Sequence, residues 1–276
     1  MIGLSASTFY YQPQRSRAAR EQADADLRDA IEAVQVAHPR AGYRTVQIYL
    51  RRRGRWVGER RIRRVMRRFS LHAELRRAFV HTTDSKHGHR IYPNLLPGRK
   101  VVGVNQVWAA DITYLRIANG FVYLAVILDL YSRRVIGWAV AKRIDGELGL
   151  SALRQAIQSR HPPPGCIHHS DRGVQYLCRA YVSLLEQYGL APSNSAKGNP
   201  YDNAFVESFM KTLKQEEVYL ANYATYLDVI ENLPTFIEEV YNEQRIHSRI
   251  GYLTPCEFEN EIKTDLVLAS RFELQL

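Results

Sequence analysis

The sequence predicts an α/β fold, a mixed sheet with helices on its faces, preceded by a small basic module made only of helices. Three observations predict it. Between 106 and 143 three strand-like runs follow one another, the first two joined by Asn119-Gly120, a strong two-residue hairpin signal. From about 145 onward, helix-like and strand-like patterns alternate. Ahead of both, residues 40–70 hold 12 arginines against a single acid, Glu59, on the apolar period of a helix.

The elements follow in order. Residues 1–21 read as a tail, and a helical candidate lies near 22–37. Val46, Tyr49 and Leu50 begin an apolar stripe that stops at "RRRGRWVG", and Ile62, Val65, Met66 and Phe69 resume it at i, i+3, i+4, i+7. Two short helices around a glycine-containing turn make 22–80 a helix-turn-helix-like module. Twelve arginines to one acid exceed what a merely solvated face requires, so Arg44, Arg60, Arg61, Arg64 and Arg68 are candidate phosphate contacts. Residues 81–104 mix His, Gly, Pro and Ser without periodicity and read as a linker.

The sheet domain begins at 105. Its strand candidates are 106–117, 121–132, 134–143, 166–171 and 190–196, five in all, with helices expected at 145–160, 175–189 and after the Gly198-Asn199-Pro200 loop. The run 121–132 is almost wholly apolar, as a strand covered on both faces should be. Residues 219–276 form a helical extension with an irregular stretch, "YNEQRIHSRIGYLTPCEF".

Composition narrows the class. Lys and Arg outnumber Asp and Glu by 38 to 28, for a net charge of +10 over 276 residues, which favours a polyanionic partner such as nucleic acid. Three cysteines at irregular spacing argue against a disulfide framework. No apolar run approaches the roughly 20 residues of a membrane span, and the N-terminus lacks a signal-peptide pattern. A soluble, cytoplasmic protein is expected, associated with the nucleoid when bound to DNA.

Three acids resist a packing explanation. Asp111 interrupts an apolar strand, Asp171 stands where the strand "CIHHSD" gives way to a loop, and Glu207 faces outward from its helix. An ionised carboxylate inside a strand is costly unless paired or bound to metal. Three from different elements of one sheet suggest a site for a hard cation, which favours carboxylates, water and substrate phosphates. Lys211 and Lys214 lie one and two turns beyond Glu207 on the same stripe, placed to hold neighbouring phosphates. Taken alone, that helix reads first as a surface helix with ordinary i, i+4 pairs, and the rest of the chain shifts the balance.

Other polar residues carry weaker signals. His169, with His168, could assist the site or be a packed strand residue, and Asn203 fits a helix cap. Cys166, His168, His169 and Cys178 lack the spacing of a known zinc set. Asp129 and Asp202 do not keep the interval that Asp171 and Glu207 keep. "RIHSRIGY" raises a tyrosine recombinase, which would leave the three acids without a role.

"WAADITY", "HHSDRGVQY" and "GNPYDNAFVESFMKTLK" together resemble the acidic motifs of DDE transposases with a retroviral-integrase-like catalytic core. The resemblance is closest to the OrfB-type proteins of the IS-three insertion-sequence family, and it runs from about residue 38 to 258. The 35 residues at 172–206 match the interval typical of that group.

The resemblance implies an RNase-H-like core over 105–218 that binds Mg²⁺ or Mn²⁺, as two ions, through Asp111, Asp171 and Glu207. It implies double-stranded DNA as partner, both element ends and target, with strand cleavage followed by 3′-hydroxyl strand transfer. It also implies a homo-multimer on DNA and an upstream-frame OrfA partner or fusion. Two alternatives share the fold: a DNA-binding inhibitor or architectural subunit without catalysis, and a nuclease that cuts without joining.

Overall fold

A computed structural model describes residues 17–73, 90–195, 204–264 and 272–276. The chain divides into two compact units, residues 1–77 and 78–276. Asn203, Asp202, the Gly198-Asn199-Pro200 loop and the first part of the expected linker lie outside the described residues.

The first unit is helical. Helix α1 (Arg17–Ala37), α2 (Tyr43–Arg52) and α3 (Glu59–Arg68) bury Leu27, Ile31 and Val34 against Val46, Leu50, Ile62 and Val65. The i, i+3, i+4 stripe is what turns inward, which leaves the arginines between the apolar positions facing out. Gly54, at φ +75°, makes the turn after α2, a backbone region costly for any residue with a Cβ.

In the second unit, a short strand β1 (Lys100–Val101) precedes the three long runs β2 (Val107–Ile117), β3 (Gly120–Asp129) and β4 (Val135–Ala141). Helix α4 (Gly146–Arg160) leads to β5 (Ile167–Ser170). The expected single helix at 175–189 is two, α5 (Val174–Leu177) and α6 (Arg179–Gln187), broken at Cys178, whose backbone is extended. Strand β6 (Ala191–Asn194) follows, then α7 (Ala204–Leu213), which carries Glu207.

The sheet order is β4-β3-β2-β5-β6, antiparallel through β4, β3 and β2 and parallel through β2, β5 and β6. That is the mixed five-stranded sheet the sequence predicted. Its faces carry separate cores. Trp108, Ala110 and Ile127 pack with α4 and α6, whereas Val107, Ala109, Val126 and Leu128 pack with Val206, Phe209, Met210 and Leu213 of α7. Period-two alternation along β2 therefore decides which face each residue serves.

After α7 the helix widens into a π-type turn, Lys214–Val218, then α8 (Tyr219–Ala221) and α9 (Tyr226–Thr235), with Pro234 near its end. A second π-type stretch, Phe236–Gln244, leads to a 3₁₀ turn at Ser248–Ile250 and to α10 (Pro255–Thr264). Strand β7 (Leu274–Gln275) pairs antiparallel with β1, so the end of the expected linker is part of a two-stranded ribbon. Leu96 and Val101 are buried in the core beneath it.

The C-terminal extension is fastened by a buried ion network. Glu259 of α10, 1% exposed, accepts from Arg134 at 3.0 Å and from Arg160 at 2.7 and 2.8 Å. Asp129 is structural as well, accepting from the backbone N–H groups of Asn105, Tyr131 and Ser132.

Candidate active site

Strand register leads towards two of the three acids. In the parallel pair β2–β5, Val107 lies opposite Ile167, Trp108 opposite His168 and Ala109 opposite His169. Counted on for two residues, that register runs to Asp111 and Asp171, the latter just past the end of β5. The pairing stops at Ala109 because β5 ends at Ser170, while β2 runs on beside β3 to Ile117. A crevice opens where the neighbours part, the usual ligand position of an α/β sheet. Asp111 is also in phase with Ala109, on the face that α7 covers.

The electrostatics agree with this placement. Burial pushes the Asp111 carboxyl up to about 8, and the charges of Asp171 and Glu207 add to the shift. The Ile112 N–H, which donates to Asp111 Oδ1 at 2.9 Å, and the charge of Lys214 oppose it. The three sequence-predicted acids thus share one field. Asp171 is steadied by the Gly173 N–H, which donates to its Oδ1 at 2.8 Å. Around that turn Asn194 Nδ2 donates to the Ser170 hydroxyl and the Asp171 carbonyl, and Arg172 donates to the Ser195 carbonyl.

Helix α7 presents Glu207 from an exposed position, with Val206, Phe209, Met210 and Leu213 holding its back to the sheet. Arg133 lies over the Phe205 ring at 4.1 Å and pins the start of the helix. The two lysines differ. Lys214 is half-buried, its Nζ 4.5 Å from the centre of the Tyr114 ring on β2, and burial lowers its pKa while Asp111 raises it. Lys211 is exposed.

His169 is a packed strand residue, its Nδ1 2.9 Å from the Ser193 hydroxyl and its Nε2 3.2 Å from that of Ser195. His168 pairs with the Tyr181 hydroxyl at 2.9 Å, and burial lowers its pKa to about 3, which keeps the ring neutral. Sequence reasoning gave no role to Tyr176, yet the charges of Asp111 and Asp171 both reach its buried phenol. Its place in "HHSDRGVQY", five residues after Asp171, was the one available signal.

The donor set, three carboxylates with one nearby ammonium, is all oxygen and carries excess negative charge, which suits a hard divalent cation. Burial first, and then the neighbouring acids, make the charged form of Asp111 costly. Among the described residues no three His, Cys, Asp or Glu side chains are gathered as a ligand cluster.

In the helical unit, the candidate arginines fall into two groups. Arg44 and Arg60 are exposed, Arg44 beside the Tyr43 ring at 5.2 Å. Arg61, Arg64 and Arg68 converge on the buried Asp24 carboxylate at 3.1, 2.8 and 3.9 Å, with side chains still 38%, 62% and 52% exposed. These three hold the module together and keep N–H groups turned to solvent.

Residues 102–200 match the family model described as "Integrase core domain", residues 188–255 match a second model of the same description, and residues 21–79 match an "HTH-like domain". The chain is 39% identical over 266 residues to the "Insertion element IS600 uncharacterized 31 kDa protein" of Shigella sonnei, covering 95% of this chain and 97% of that one. It is 36% identical to the "Transposase for insertion sequence element IS904" of Lactococcus lactis, over 88% of this chain and 97% of the relative. The "Transposase InsF for insertion sequence IS3A" of Escherichia coli is 41% identical over 71% of this chain and 68% of its own. Among solved structures, the HTLV-2 integrase catalytic core in complex with magnesium is 18% identical, with a TM-score of 0.44 over 60% of this chain and 99% of that one.

Proposed function

The chain belongs to the integrase-core family of insertion-element transposases, and from that premise we propose that it is a DDE-type polynucleotidyl transferase. It nicks DNA at the ends of its element and joins the freed 3′-hydroxyl to another strand. What supports this reading is the β2–β5 register, whose last pair lies two residues before Asp111 and Asp171, together with the charges of Asp171, Glu207 and Lys214 acting on the Asp111 carboxyl.

Asp111, Asp171 and Glu207 would hold Mg²⁺ or Mn²⁺, which would supply activation of the attacking oxygen and charge stabilisation of the leaving one. In cleavage the nucleophile is water, and in joining it is the 3′-hydroxyl; the new P–O bond forms as the bond to the leaving strand breaks. Lys214, with its ammonium fixed over Tyr114 beside Asp111, holds a phosphate next to the reacting one, and Lys211 meets the backbone further out. Arg44 and Arg60, with the outward N–H groups of Arg61, Arg64 and Arg68, bind duplex phosphates through the helix-turn-helix-like unit. Two ends must meet for transposition, so the working form is a homo-multimer on DNA.

The test is cleavage of labelled duplexes carrying the flanking element's ends, in Mg²⁺ and in EDTA. Metal-dependent nicks at the element boundary, lost in Asp171→Asn, support the proposal. Binding without cleavage under any metal makes the protein an architectural subunit. Cutting that never yields joined strands makes it a nuclease.

A further inference from the structure

Tyr176 and Tyr181 are neighbours, with ring centroids 5.4 Å apart at 83°, and their hydroxyls have different fates. The Tyr181 hydroxyl is 2.9 Å from His168 Nε2. The Tyr176 hydroxyl is sealed from solvent and, among the described residues, has no hydrogen-bond partner. The side chain is 3% exposed. A phenylalanine would fill the same volume without stranding a donor, because a buried polar group without a partner is destabilising.

The backbone that carries Tyr176 is tied to Asp171 by a short route. The Gly173 N–H donates to Asp171 Oδ1, α5 starts from Gly173, and the Tyr176 N–H donates to the Gly173 carbonyl at 3.0 Å. Both Asp111 and Asp171 lie near enough for their charges to act on it. A carboxylate offers about four lone-pair sites, so one that binds a cation through one oxygen can still accept a hydrogen bond on the other.

We propose that Tyr176 is a positioning residue for the metal site: its hydroxyl donates to the outer oxygen of Asp111 or Asp171 once that carboxylate turns to hold a divalent cation. The bond fixes the ligand's orientation, the role that partners behind metal ligands generally play. The inference rests on the reading of Asp111, Asp171 and Glu207 as metal ligands.

The test is calorimetric titration of Mn²⁺ into the full chain, without DNA, for the wild type, Tyr176→Phe and Asp171→Asn, with melting of each protein in EDTA. Tyr176→Phe should bind Mn²⁺ about 10-fold or more weakly, yet melt in EDTA at the wild-type temperature or above it. Unchanged affinity in Tyr176→Phe, while Asp171→Asn abolishes binding, overturns the role of Tyr176 and leaves the metal site standing. A lower melting temperature or loss of folding in Tyr176→Phe shows that the hydroxyl is structural and overturns it too. Wild-type binding that is absent, or indifferent to Asp171→Asn, removes the metal reading and this inference with it.

Discussion

Replacing Asp111 with asparagine should abolish strand cleavage and, without metal, make the core more stable. Asparagine keeps the shape and an oxygen for the Ile112 N–H, and it removes a charge that burial and the charges of Asp171 and Glu207 oppose. These causes lift the carboxyl from 3.8 in the unfolded chain to about 8 in the fold. Between those values the folded state holds a proton that the unfolded state lacks. Stability is therefore fully present below the unfolded pKa and is lost as pH rises towards the folded one. The slope is at most about 1.4 kcal/mol per pH unit. From pH 6 to 8 the ceiling is about 3 kcal/mol, and water reaching the partly buried carboxylate reduces it to roughly 1–2 kcal/mol. In a unit of this size that corresponds to about 2–8 °C. Thermal melts of both proteins in EDTA from pH 5 to 9 should show the wild type falling behind Asp111→Asn by that amount between pH 6 and 8. Added Mg²⁺ should close the gap at pH 8, because it binds the folded wild type. Parallel pH profiles would refute the charge conflict at Asp111.

Further outcomes can be checked alongside. Lys211→Gln with Lys214→Gln should weaken binding to element-end DNA and lower the salt slope by about two counterions, measured by anisotropy over a salt series; an unchanged slope would take both lysines off the DNA. Glu259→Gln strands Arg160 and Arg134 at a buried site and should cost about 3–5 kcal/mol in urea denaturation, so a loss under 1 kcal/mol would contradict the network. Asp24→Asn should lower the stability of the helical module by about 1–2 kcal/mol, since three half-exposed arginines share that carboxylate, and an unshifted melt would show the contacts to be incidental.

Much of the fold was legible in the sequence. The hairpin itself and the order of strands and helices follow from period and turn chemistry, which act locally. Its loop, however, is Ala118-Asn119, one residue earlier than the Asn119-Gly120 signal, because Gly120 already pairs with Ile117. The three acids stand out in the sequence through the cost of a charge in a strand. Which arginines bear structure was not legible, because Asp24 lies 37 residues before Arg61 and nothing in the spacing links them. The pairing of Lys100–Val101 with Leu274–Gln275 was hidden for the same reason. Lys211 and Lys214 read as equals on one stripe, but packing sets Lys214 over Tyr114 and leaves Lys211 in solvent. Tyr176 was invisible as a donor because composition does not reveal which of 17 tyrosines lacks a partner.

The decisive measurement is joining of a pre-cut element end, its 3′-hydroxyl already exposed, into target DNA in Mg²⁺. Wild type and Glu186→Gln, an exposed acid on α6 away from the site, should both yield joined strands. EDTA, Asp111→Asn, Asp171→Asn and Glu207→Gln should each abolish them. Joined products that survive any one of those three substitutions, or that form in EDTA, would contradict a metal site built from Asp111, Asp171 and Glu207.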